Sequence, residues 1–179
     1  SDAETAPGRF NVFSYRGATL IADYGHNPDA ILALVRAVEA MPAERRMMVI
    51  SGAGDRRDED IRKQTEIIGD AFDEVILYQD QCQRGRADGE VLALLREGLA
   101  RARRATAVEV MIATNYIRDC IENKEKTKYI VDAIKAGTSQ YGMQTFDQSL
   151  YGLYRAGLIT LEEALKRASN PNEFKLKIQ

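Results

Sequence analysis

The sequence has few of the residues that mark several functional classes. Cysteine occurs only at positions 82 and 120, histidine only at 26. Neither Cys82 nor Cys120 has a second Cys or His at zinc or redox spacing, so free thiols in a reducing, cytoplasmic compartment are expected. No apolar run approaches the length that spans a bilayer, and no membrane insertion is expected. The start, Ser1 to Pro7, is polar and acidic rather than basic then apolar, unlike a secretory leader, and is set apart from the fold. Charge of one sign is also lacking: 25 Lys and Arg stand against 27 Asp and Glu, a net charge of -2. That balance gives no general pull toward nucleic acid or an anionic membrane, so any anion site must be local.

The composition that remains, 45% hydrophobic and 29% charged over 179 residues, is that of an ordinary globular protein. The length suits one domain with an appendage and is too short for two catalytic domains. Apolar alternation over Phe10–Phe13 and the run Thr19–Ala22, with Arg16-Gly17 between, predict two strands joined by a turn. From Pro28, Ile31, Leu34, Val35, Val38 and Met41 recur at helical spacing until Pro42. Met47 to Ser51 reads as a strand buried on both faces, Asp58 as the cap of a second helix, and Val75–Tyr78 as another strand. Asp88 is expected to cap a third helix, and Val108 to Ala113 to form a last strand. The β-α-β-α-β order predicts an α/β fold, a mostly parallel Rossmann-like sheet flanked by helices. Thr145 with Gln148 and Thr160 with Glu163 fit capping boxes, so an all-α C-terminal segment should follow. A shift from Arg-rich to Lys-rich composition near Thr106 divides the chain into 1–106 and 107–179.

Two polar turns could carry chemistry. Asp23-Tyr24-Gly25-His26-Asn27-Pro28 lies where a strand stops and a helix starts, at the edge of a parallel sheet where ligands bind and helix amides meet anions. Asp23 could accept from ribose hydroxyls, with His26 and Asn27 beside a nucleotide. Equally, Asp23 and Asn27 could only cap the helix while His26 lies on the surface. Ser51-Gly52-Ala53-Gly54-Asp55-Arg56-Arg57-Asp58 occupies the same edge, with glycines that permit close backbone approach and two guanidiniums suited to carboxylate or phosphate. The alternative is a loop of solvated ion pairs. Arg84-Gly85-Arg86 could add positive charge, and Arg101–Arg104 reads as a solvated helix end.

Pro7-Gly8-Arg9-Phe10, the Asp23–Pro28 hexapeptide, Gly54–Arg62 and the Arg84–Glu90 stretch resemble the C-terminal domain of Mur-type amino-acid ligases, most narrowly that of the cyanophycin synthetases, over roughly residues 6–104. The resemblance implies contacts from Arg9, Asp23, His26 and Asn27 to ATP with Mg. It implies amino-acid contacts from Asp55, Arg56 and Arg57, and amide formation through an acyl phosphate. Such a domain works beside a P-loop ATPase domain, and within these 179 residues no Walker loop occurs. The expected partners are therefore the missing ligase domains or a homo-oligomer, and turnover by the chain alone is not expected.

From about residue 107 the sequence resembles another family. Val108–Thr114, Ile117–Glu122, Tyr141–Gln148 and Ala168–Pro171 are similar to the C-terminal helices of the type IV pilus retraction ATPase. Asn115-Tyr116 replace that family's usual Pro and Ala before the Ile-Arg pair. A chimera, engineered or a natural gene fusion acting as a structural or interaction module, is therefore the alternative to a ligase fragment.

Overall fold

The computed structural model describes residues 6–79 and 83–178. Cys82, expected to be a free thiol, lies outside the described residues. Cys120 is a free, buried thiol.

The chain opens with a hairpin of β1 (Asn11–Tyr15) and β2 (Ala18–Ala22), antiparallel, with Tyr15 opposite Ala18. Its turn needs two left-handed residues, and Arg16 (φ 49) and Gly17 (φ 84) supply them. Helix α1 (Pro28–Glu39) follows, then β3 (Met47–Ile50), α2 (Asp58–Ala71), β4 (Glu74–Gln79), α3 (Glu90–Arg101) and β5 (Ala107–Ile112). Strands β3, β4 and β5 form a parallel sheet in that order. The α/β expectation holds, although among the described residues β2 pairs only with β1.

In-register residues of a parallel sheet share a face. Met48, Ile50, Val75, Leu77, Val108, Val110 and Ile112 point to one face and join the main core with the apolar sides of α1, α2 and α3. Gly98 lets α3 approach α2 closely, since a Cβ there would meet the Arg62 carbonyl and Thr65 Oγ1. The opposite face is unevenly covered. Met47 (52% exposed) and Val49 (55%) correct the expectation of a strand buried on both faces. Helices cover that second face over β5 and leave it open over β3.

The cover is the C-terminal segment: α4 (Asn115–Glu122), a single 3-10 turn (Thr127–Tyr129), α5 (Ile130–Ala136), α6 (Thr138–Tyr141), α7 (Phe146–Arg155), α8 (Leu161–Arg167) and α9 (Pro171–Leu176). Ala107 of β5 packs with Phe146, Leu150, Ala164 and Phe174. Met111 and Ile112 pack on Ile117, Ile134 and Met143. Gln144 bridges antiparallel to Val110. Strand β5 therefore serves both the main core and the helical segment.

The caps differ in part from expectation. Thr145 and Gln148 form the full reciprocal box. Thr160 accepts from the Glu163 amide, but the Glu163 carboxylate bonds to Arg167 rather than returning to the cap. Arg57, not Asp58, is the N-cap residue of α2, and Gly89 in a left-handed conformation, not Asp88, that of α3. Both carboxylates have other donors: Asp58 takes Arg86, and Asp88 takes the Gln79 amide.

Candidate functional site

The loops after β2 and β3 meet at one end of the sheet around a cleft of about 330 Å³ lined by Asp23–His26, Ser51–Ala53, Tyr78 and Arg84. Backbone lacing builds its first wall. The Asp23 carboxylate accepts from the Phe10 amide (2.9 Å) and the Gly25 amide (2.6 Å), and the Tyr24 amide donates to the Gly8 carbonyl (2.6 Å). Residues 8–10, Arg9 included, are thereby held against Asp23, and Phe10 takes a left-handed φ of 50 to do so. Asp23 does not cap α1. Asn27 does, its Oδ1 accepting from the Ala30 amide (2.9 Å).

His26 joins the two polar turns. Its Nε2 lies 2.5 Å from Arg56 Nη2 and its Nδ1 lies 3.0 Å from the Tyr24 carbonyl. A guanidinium cannot accept, so Nε2 is the acceptor and Nδ1 carries the proton donated to Tyr24. Asp23, His26 and Arg56 are thus brought to one place.

The other residues of the second turn divide. Asp55 accepts twice from Arg84 Nη1, at 3.0 Å each. Desolvation pushes its carboxyl upward, but the Arg84 hydrogen bond, its own backbone amide and the charges of Arg84 and Arg56 together hold it below the usual carboxylate range. Arg57 makes a bidentate pair with Asp60 one turn along α2 (2.8 and 2.9 Å), and its side chain is 84% exposed. Of the residues expected to contact ligands, only Asp23 and His26 line the cleft itself; Arg9, Asn27, Asp55, Arg56 and Arg57 are outside its lining.

Sequence reasoning gave little weight to the residue that fixes this loop. Arg86, 16% exposed, donates to the carbonyls of Gly54 (2.7 Å) and Arg56 (2.8 Å) and to the carboxylates of Asp58 (2.8 Å) and Glu90 (2.6 Å). Its hydrogen bond holds the Asp58 carboxyl below the usual range. Gly54 is required beside it, because a Cβ there would run into the Gln83 carbonyl. The available signal was the Arg84-Gly85-Arg86 turn itself, with left-handed φ at Arg84 and Gly85.

Two carboxylates, Glu74 and Glu109, lie at the border between sheet and helical segment. Burial pushes both above the usual range, opposed in Glu74 by Arg45 and in Glu109 by the Phe146 amide. Among the described residues, no group of three His, Cys, Asp or Glu could hold a metal. No helix of the described residues is long and apolar enough to cross a membrane.

Comparison with known proteins gives the family of the chain. Residues 8–130 match the Mur ligase, glutamate ligase domain family model, and the chain belongs to that family. It is similar to the cyanophycin synthetase of Synechocystis sp., with 32% identity over 147 residues. That match covers 76% of this chain and 17% of the relative, so the chain spans about a sixth of that protein's length. Part of it is also similar to the type IV pilus retraction ATPase PilT of Pseudomonas aeruginosa, 42% identical over 71 residues, which is 40% of this chain and 20% of that one. Among solved structures, a UDP-N-acetylmuramoyl-L-alanyl-D-glutamate--2,6-diaminopimelate ligase shares the fold. The TM-score is 0.51, with 21% identity, over 75% of this chain and 24% of the other.

Proposed function

We propose that the chain contributes the C-terminal half-site of an ATP-dependent amino-acid ligase of the cyanophycin synthetase type, with Arg9, Asp23, His26 and Asn27 toward the nucleotide and Asp55, Arg56 and Arg57 toward the incoming amino acid. The observation that carries the reading is the His26–Arg56 contact, which joins the two polar turns across one cleft. The cleft has the character such a ligand needs. It lies at strand C-terminal ends, beside the Asp23 carboxylate and the Arg84 guanidinium. A protein-held metal does not fit the described residues, so Mg would arrive on the phosphates rather than in a protein cage. Ligation proceeds when an amine attacks an acyl phosphate, and the electrostatic clamp for the transferring phosphoryl would come mainly from a P-loop domain in another part of the enzyme. In this reading the protein works in the cytoplasm, with the other ligase domains or further copies of itself as partners.

The second reading divides the chain at residue 106 into a ligase-like 1–106 and a pilus-ATPase-like 107–179, a chimera acting as an interaction module without activity. The 42% identity to the pilus ATPase supports it. A calorimetric titration of Mg-ATP into the chain, Arg9→Ala and Asp23→Ala separates the readings, with thermal melts to show that each variant is folded. Binding in the parent that both folded variants lose supports the half-site. No heat at millimolar nucleotide favours the module.

A further inference from the structure

A groove of about 710 Å³ lies at the other end of the sheet from the cleft beside Asp23. The strands run parallel and β5 begins at Ala107, so the lining residues Thr106 and Val108 mark the strand N-terminal end, whereas Ser51–Ala53 of the cleft follow the end of β3. Both parts of the chain build the groove: α3 and the loop after it form one wall, Gln144, Ser149, Leu153 and Leu158 the other. The lining holds three guanidiniums, Arg96, Arg103 and Arg104, and no carboxylate, in a protein whose net charge is -2. Arg103 and Arg104 reach Asp70 (3.2 Å) and Asp73 (3.1 Å) outside the lining. Arg96 differs. Among the described residues its guanidinium makes one hydrogen bond, from Nη2 to the Gly142 carbonyl (3.0 Å), and no ion pair. Desolvation pushes it below the usual arginine range, with no opposing charge to offset the loss.

We propose that this groove binds a small amphipathic anion, a carboxylate head on an apolar body, with the head on Arg96 and the body over Leu99, Val108, Leu153 and Leu158. Charge argues for the head. A guanidinium presents a planar fork of donors that matches a carboxylate, and Arg96 has given only one bond to the protein. The four apolar side chains argue for the body, and the volume falls within the roughly 300–1,000 Å³ of sites that enclose small organic ligands. A peptide added as a strand does not fit, because the β5 backbone has nothing to offer there. The Val108 amide donates to Ser149 Oγ (2.9 Å), and its carbonyl accepts from Gln144 Nε2 (2.8 Å). The ligand is therefore held by side chains.

The test titrates hexanoate, octanoate and decanoate into the full chain, with acetate as the head alone and 1-decanol as the body alone, read by amide chemical shifts. The expected result is shifts within Arg96–Val108 and Gln144–Leu158, no binding of acetate, and affinity that rises roughly fourfold per added methylene. Arg96→Gln should weaken decanoate by about tenfold or more while leaving the melting temperature and the response to 1-decanol unchanged. Leu158→Ser, at a position 62% exposed, should weaken decanoate without touching the guanidinium. No shift at millimolar decanoate overturns the proposal, as do shifts confined to Asp23–Ala53. Equal binding by Arg96→Gln overturns it in favour of apolar adsorption, and acetate bound as tightly as decanoate in favour of a general anion site. Dimerisation that shifts the same amides without ligand overturns it in favour of a second copy. None of these readouts depends on nucleotide binding at the other end of the sheet.

Discussion

Leu150 reports whether the helical segment and the parallel sheet unfold as one body. It sits on α7 at 2% exposure, packed with Phe146, Ala164, Phe174 and Ala107, the last of these on β5. Leu150→Ala removes buried methyl groups and leaves a cavity, which costs about 3 kcal/mol in a site that cannot collapse. In a chain of this size each kcal/mol lowers the melting temperature by roughly 2–4 °C, so a fall of about 6–12 °C is expected. Strand β5 belongs to both cores, and the loss should therefore move one cooperative transition seen equally by calorimetry, by near-ultraviolet circular dichroism and by exchange at Val75 and Leu77. Two transitions, of which only one shifts while the β4 amides keep their parent protection, would refute a shared fold.

Glu109→Gln should stabilise the protein near neutral pH. Burial raises the folded carboxyl, Glu74 and Asp147 add to the rise, and the Phe146 amide opposes it. Its contribution is full below the ordinary carboxylate range and is lost as pH rises through the raised folded value, so the variant's advantage in melting temperature should vanish near about pH 4. Gly54→Ala drives a Cβ into the Gln83 carbonyl and should cost about 1–3 kcal/mol, read by denaturant unfolding. Arg86→Lys cannot reach the acceptors on Gly54, Arg56, Asp58 and Glu90 together, so amide shifts should change across Gly54–Asp58 while α7 is unaffected. Thr145→Ala removes the full capping box of α7 and should cost about 1 kcal/mol.

Much of the fold was legible because its signals are local. Pro28 at the first turn of α1, the apolar runs at β3, β4 and β5, and the Thr145–Gln148 box each depend on residues within a few positions of one another. The expectations at Asp58 and Asp88 failed for the opposite reason. Each is a good cap by type, but Arg86, 28 positions from Asp58, and Gln79, across the loop before Asp88, offered their carboxylates other donors. The Met47–Ser51 run is apolar as a doubly buried strand should be, yet composition cannot tell which neighbours will cover its second face.

At the candidate site the sequence alone determined the two polar turns, their placement after strands, and the family to which they belong. Periodicity and motif order survive in one dimension. Only the tertiary structure decided that His26 meets Arg56, that Arg86 holds the loop between Gly54 and Asp58, and that β5 is shared by two cores. It also decided that, among the described residues, β2 bonds to β1 and not to the parallel sheet. Such pairings join residues thirty or more positions apart. Their energies depend on distances and burial that no local window of sequence contains.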